Sequence, residues 1–128
     1  MASNPAFTST PNVQGSTISS ANTNRDGTGT IVDIFTAGSS GSKVQRITIM
    51  AAGTTSSGSV VRLYYKDGST YFLIKEILVD AITPSDTVDA FRTIVTFDPP
   101  FIVAASDALG ASTDNAETFK IVAEGMNF

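Results

Sequence analysis

Short runs of β-branched and aromatic residues alternate along the chain with stretches of Gly, Ser, Asp, Asn and Pro. That pattern predicts strands separated by turns. A first, weak strand is expected over Ser16–Asn22, followed by a tight loop at Asn24–Gly29 and a strand over Thr30–Thr36. Beyond the Ala37–Ser42 turn come Lys43–Ala52, the turn Gly53–Gly58 and Ser59–Lys66. Asp67-Gly68 between two β-rich runs predicts a hairpin with a type I′ turn, returning along Ser69–Val79. Asp80–Asp86 is a connection that Pro84 stops, and Thr87–Phe97 is the next strand. Asp98-Pro99-Pro100 should break it, leaving Phe101–Val103 as a short apolar step. Ala108–Thr113 and Glu117–Ala123 read as a final hairpin around Asp114-Asn115. A helical turn has room only within Glu76–Ala90. The expected fold is all-β: an antiparallel β-sandwich, jelly-roll-like, of about eight strands.

Residues 1–15 break this rhythm. They hold Pro5 and Pro11 among Ser, Thr and Asn, with only Phe7 and Val13 large and apolar. They read as an extended N-terminal arm, with the sandwich domain occupying 16–128. A strand with one wet face should alternate apolar and polar positions. Here Leu63-Tyr64-Tyr65 and Tyr71-Phe72-Leu73-Ile74 are consecutive, and Ile34-Phe35 follows Ile31-Val32. Neighbouring side chains on a strand point to opposite faces, so these strands carry bulky groups on both. The expected core is Val32, Ile34, Ile47, Ile49, Val61, Leu63, Leu73, Ile77, Ile94, Leu109, Phe119 and Ile121. Phe35, Tyr64 and Phe72 then need another cover, which the arm or a neighbouring subunit would supply. The candidate partner-interface residues are Phe7, Val13, Phe35, Tyr64, Phe72 and Phe128, the last from a tail that tucks against the sheet or reaches a partner.

Composition sharpens the picture. The 128 residues, an ordinary length for one domain, include 17 Thr and 15 Ser, and Asp outnumbers Glu nine to three. This is the surface of a β protein rich in turns. There is no Cys and no His, which removes disulfides, thiolate metal sites, thiol nucleophiles and imidazole bases. A net charge of −4 with four Lys and four Arg argues against nucleic acid as a partner. No stretch approaches the ~18 apolar residues that span a bilayer, and Met1–Gln14 lacks the basic and apolar regions of a secretory signal, so no membrane partner is expected. Candidate chemistry is thin. Asp80, Asp86 and Asp89 flank one loop, and Asn24 and Asp26 before Gly27 match only a fragment of a calcium loop. Asx residues beside Gly are turn formers first. Catalytic, metal and cofactor sites are therefore all expected to be absent.

The segment Ser19–Gly27, with Asn22-Thr23-Asn24-Arg25-Asp26-Gly27 at its heart, then Phe35-Thr36-Ala37-Gly38, the Gly53–Gly58 turn, and Ala111-Ser112-Thr113 with Ala116, Glu117 and Phe119 form a further pattern. Together, over most of 19–128, they resemble small structural proteins of tailed-bacteriophage virions. The resemblance is one of turns and strands and carries no catalytic residues. It implies a non-enzymatic capsid decoration, or cement, protein made in a bacterial cytoplasm and bound to the outer surface of the shell. The implied partners are the major capsid protein and further copies of the chain, as trimer or dimer. The alternative implied is a fibre-associated, tail or neck domain that binds host glycan or another virion protein.

Overall fold

Ser59–Asp67 (β4) and Thr70–Val79 (β5) pair antiparallel across a two-residue turn, with Asp67 opposite Thr70. Gly68 has φ of +64°, and Ser69 is not among the residues with positive φ. Positive φ at the first central residue alone is the type II′ pattern. The hairpin is thus where Asp67-Gly68 predicts it, but Gly68-Ser69 is its centre and the turn differs from type I′. The structure, a computed structural model, describes residues 7–128. The expected arm therefore lies partly outside the described residues.

The rest of the chain winds around this hairpin. The other strands are Thr10–Ile18 (β1), Val32–Thr36 (β2), Ser42–Ala51 (β3), Arg92–Val103 (β6), Ala108–Thr113 (β7) and Phe119–Asn127 (β8). Their pairings nest: β4 with β5, β3 with β6, β2 with β7 and β1 with β8, all antiparallel. The strip then folds into two four-stranded sheets, β1-β8-β3-β6 and β2-β7-β4-β5. Every connection but β4–β5 crosses from one sheet to the other. This is an eight-stranded jelly roll, as expected. It also corrects the expected final hairpin. β7 and β8 lie in different sheets, so Asp114–Thr118 is a crossing rather than a hairpin turn.

Two strands run where polar or Pro-rich sequence argues against them. Thr10–Gly15, expected as arm, forms one strand with Ser16–Ile18 and pairs along β8 from Thr10↔Asn127 to Ile18↔Phe119. Its inward positions hold Asn12, Gln14 and Ser16, which are only half-buried. They serve hydrogen bonding across the sandwich rim rather than apolar burial. The Gln14 amide acts as a substitute strand: its Oε1 accepts from Thr36 N at 3.1 Å and its Nε2 donates to Thr36 O at 2.9 Å. Asn12 Nδ2 also reaches Thr36 O, and Ser16 Oγ donates to Asp33 O. In β6, Asp98-Pro99-Pro100 does not end the strand. Thr96 pairs with Arg46 and Phe101 with Val44, so four residues bulge opposite Gln45 alone. An edge strand tolerates Pro because its outer N–H has no partner to lose.

The core between the sheets is built from Ile47 and Ile49 of β3, Val61 and Leu63 of β4, Ile77 of β5, Leu109 of β7, and Phe119 and Ile121 of β8. Three expected core residues sit elsewhere. Val32 is half-buried at the margin, and Leu73 lies opposite Tyr64 on the outer face. Ile94 is exposed because Thr93 and Val95 take the inward parity of β6.

Candidate interaction surfaces

A third partial layer exists, and the chain itself supplies it. β4 and β7 are buried on both faces through most of their length. Their outer face is covered by the β1–β2 connection, Ser19–Ile31. Asn22 docks it through backbone, donating to Thr113 O at 2.8 Å. The buried Asn22 amide organises the turn by donating to Thr28 O and Thr30 O and accepting from Asn24 N, each at 3.0 Å. Small residues on β7 make room beneath it. A side chain at Gly110 would collide with Ile31 of the loop and with the Tyr71 ring.

At the centre of this layer is Arg62, only 3% exposed. Its Nε pairs with Glu76 at 2.9 Å, and its Nη1 with Asp114 at 2.9 Å and with Asn22 O at 3.2 Å. Arg25 from the loop joins the same Glu76 oxygen at 2.8 Å. Burial works against the Arg62 charge, but the hydrogen bonds and charges of Glu76 and Asp114 more than offset it and hold its pKa above the usual value. Hydrogen bonds from Arg25 and Arg62 pull the Glu76 carboxyl below its usual range. From sequence, Arg62 reads like Lys43, Arg46, Lys66, Lys75 and Arg92, as a single charge on a strand that is solvated or meets a partner; the structure buries it instead. The signal was there: a lone Arg inside Val60-Val61-Arg62-Leu63-Tyr64-Tyr65, a run apolar on both parities, needs buried counter-charges.

The candidate interface residues separate. Tyr64 is fully buried beneath the loop, its hydroxyl donating to Asn24 O at 3.0 Å and its ring edge-on to Tyr71. Phe35 is fully buried in the core. A β-bulge between Asp33 and Phe35 inserts Ile34, so both consecutive side chains turn inward. Neither is open to a partner; the cover expected from a neighbour comes from the chain's own loop and core. Phe128 is half-buried, with its N–H on Gly41 O and its ring beside that glycine. Phe7, Val13 and Phe72 are exposed, at 78%, 61% and 54%. They occupy the start of the described chain, the outer side of β1 and the edge strand β5, and so do not form one cluster.

By contrast, the outer face of β1-β8-β3-β6 faces solvent. The registers set its side chains in rows across the four strands. One row is Val13–Glu124–Arg46–Thr96, the next Gly15–Val122–Thr48–Ile94, the next Thr17–Lys120–Met50–Arg92. Val13, Val122, Ile94 and Met50 are all exposed. Arg46 and Glu124 pair at 2.9 Å. Beside them the Phe97–Pro100 bulge leaves a hollow of about 450 Å³, bordered by Arg46, Thr96, Asp98 and Glu124. A smaller groove of about 380 Å³ opens between β5 and β6, where the two sheets part.

The residues singled out for chemistry form no centre. Among the described residues, no group of three or more Asp or Glu is placed to hold a metal. The Asp26 carboxylate accepts from Thr28 N and Thr28 Oγ1, which lowers its pKa and closes a turn. All three tyrosine hydroxyls are engaged: Tyr64 as above, Tyr65 with Asp107 and Tyr71 with Asp33.

Comparison with known proteins places the fold. No family model matches the chain, and no curated protein does. Solved structures match over nearly its full length. One is a chain of the acidic stable capsid structure of Helicobacter pylori bacteriophage KHP30, with a TM-score of 0.61 and 12% identity, covering 94% of this chain and 90% of that one. Another is a chain of the cyanophage Pam1 capsid asymmetric unit, with a TM-score of 0.50 and 13% identity, covering 100% of this chain and 92% of that one. The shared property is the jelly roll.

Proposed function

We propose that this protein is a non-enzymatic structural component of a bacteriophage virion, and within that class a decoration or cement protein on the outer surface of the capsid shell. The observation that carries the reading is the likeness, nearly end to end, to chains of two phage capsid structures. An absence of clustered acids among the described residues, and hydroxyls committed to internal bonds, agree with a molecule that works through contacts. Its activity would be the free energy of those contacts, small per copy and large over a symmetric shell. Phe7 and Val13 remain the proposed anchors near the N-terminus, with Phe72 on β5. The alternative is glycan binding on a fibre, tail or neck, for which the aromatic platforms would be the exposed Phe7 and Phe72, since Tyr64 is buried and Tyr65 and Tyr71 are half-buried.

Imaging of intact particles at residue resolution tests the proposal. Density for this chain on the outside of the shell, bridging shell subunits, is the expected result. Its absence from purified particles would overturn the virion role, and density confined to tail or neck would overturn the decoration role. Removing 2–14 is expected to lower the temperature at which particles release DNA; this deletion also removes half of β1, so circular dichroism must first show that the variant folds.

A further inference from the structure

Resting on the reading above, the chemistry of the bare sheet specifies its partner. Half of the chain's eight basic residues, Lys43, Arg46, Arg92 and Lys120, lie on the outer face of β1-β8-β3-β6, where the rows include one acid, Glu124. With Asp98 of the bordering hollow counted beside Glu124, that face carries a formal charge of +2 (4 − 2) in a chain of −4, so the remainder carries −6 (−4 − 2). Between the charges lie Val13, Val122, Ile94 and Met50, all exposed, where a sheet facing water normally carries polar groups. The opposite sheet shows how this chain treats such a face, for it lays Ser19–Ile31 over it. From strand and residue spacings the bare face measures roughly 500 Å². That approaches the ~800 Å² per partner of an ordinary interface, and the hollow at Phe97–Pro100 offers a socket beside it.

We infer that this face docks onto an acidic protein surface with an apolar centre, belonging to a shell subunit of different sequence. Two copies meeting through the same face would oppose Lys43, Arg92 and Lys120 to one another, and such like-charge contacts are costly. The acidic remainder of a second copy offers less. Asp26, Asp33, Glu76, Asp107 and Asp114 are already bound internally, which leaves the exposed Asp80, Asp86 and Asp89 for a head-to-tail contact. Such a head-to-tail contact also propagates into a filament unless a rotation closes it. The cations are single and separated by apolar side chains, with Arg46 held by Glu124, so they form no continuous track for a phosphate backbone.

Carbodiimide cross-linking of intact particles, read by peptide mass spectrometry, joins lysine directly to carboxylate. Lys43 and Lys120 are expected to link to Asp or Glu of another kind of chain, while Lys66 and Lys75, on the other sheet, do not. Intermolecular links confined to Lys66 and Lys75, or Lys43 and Lys120 linked only to a second copy of this chain, would overturn the inference while leaving the virion role standing. Particles that lack the protein overturn the virion role instead. The face is then judged by retention on immobilised poly-L-glutamate at low salt. Wild type and K66E/K75E should be retained and K43E/R92E/K120E should elute with about tenfold weaker binding. Equal retention of all three sinks the inference. Lys43 and Lys66 are half-buried, and Lys66 pairs with Asp33 at 3.2 Å, so unchanged melting temperatures must first show that the variants fold.

Discussion

Arg62 shows how one side chain ties the covering loop to the sheet beneath it. Its guanidinium is buried, and its two carboxylate partners sit at the margin, with Glu76 more exposed than Asp114. Replacing both acids (E76Q/D114N) strands a buried cation and should destabilise the fold strongly. Either single change should cost less than half of that, because the remaining carboxylate still faces the guanidinium. Chemical denaturation of the four proteins checks this. Glu76 also sets an acid limb. Its folded pKa is depressed, so its contribution is complete above the unfolded value of about 4.3 and is lost as pH falls through the lower folded value. Wild type should therefore lose more stability between pH 6 and pH 3 than Glu76→Gln does, measured by urea midpoints at each pH. Tyr64→Phe removes the hydroxyl bond to Asn24 O and should cost about 1 kcal/mol, with faster amide exchange across Ser19–Ile31.

At the scale of elements, the two rims of the sandwich differ. Gln14 closes one by imitating a strand against Thr36, while the β5–β6 rim stays open. Gln14→Ala should cost about 1 kcal/mol, since it frees Thr36 N and leaves Thr36 O only the longer bond from Asn12, and the amide exchange of Thr36 should rise selectively. The loop layer over β4 and β7 depends on how closely it can approach. Gly110→Val drives a side chain into Ile31 and Tyr71 and should destabilise by about 1–3 kcal/mol, with the loop losing protection before the core does. The reach of β1 was hidden for a related reason. Hydrophobic alternation finds strands that bury apolar surface, whereas Asn12, Gln14 and Ser16 of β1 face inward to make hydrogen bonds.

For the molecule as a whole, the nested pairings bring the first strand against the last, so most contacts close long loops. Refolding should take milliseconds to seconds, followed by tyrosine fluorescence because the chain has no Trp. The bare sheet makes a second expectation at this scale. Ile94→Ser should cost about 1 kcal/mol of stability, well below a core change because Ile94 is 40% exposed in the free chain, while weakening attachment to a particle. The sequence by itself determined the strand class, most strand positions, the β4–β5 hairpin and the poverty of catalytic groups. Those follow from local alternation, turn chemistry and residue supply. Only the tertiary structure decided which face of each strand is covered and by what. Phe35 and Tyr64 have the same sequence signature as Phe72, namely a bulky side chain on the second parity of a strand. A bulge turns one inward, the chain's own loop covers another, and an edge position leaves the third exposed. Which of these occurs depends on residues distant in the chain, and alternation within one strand holds no record of them.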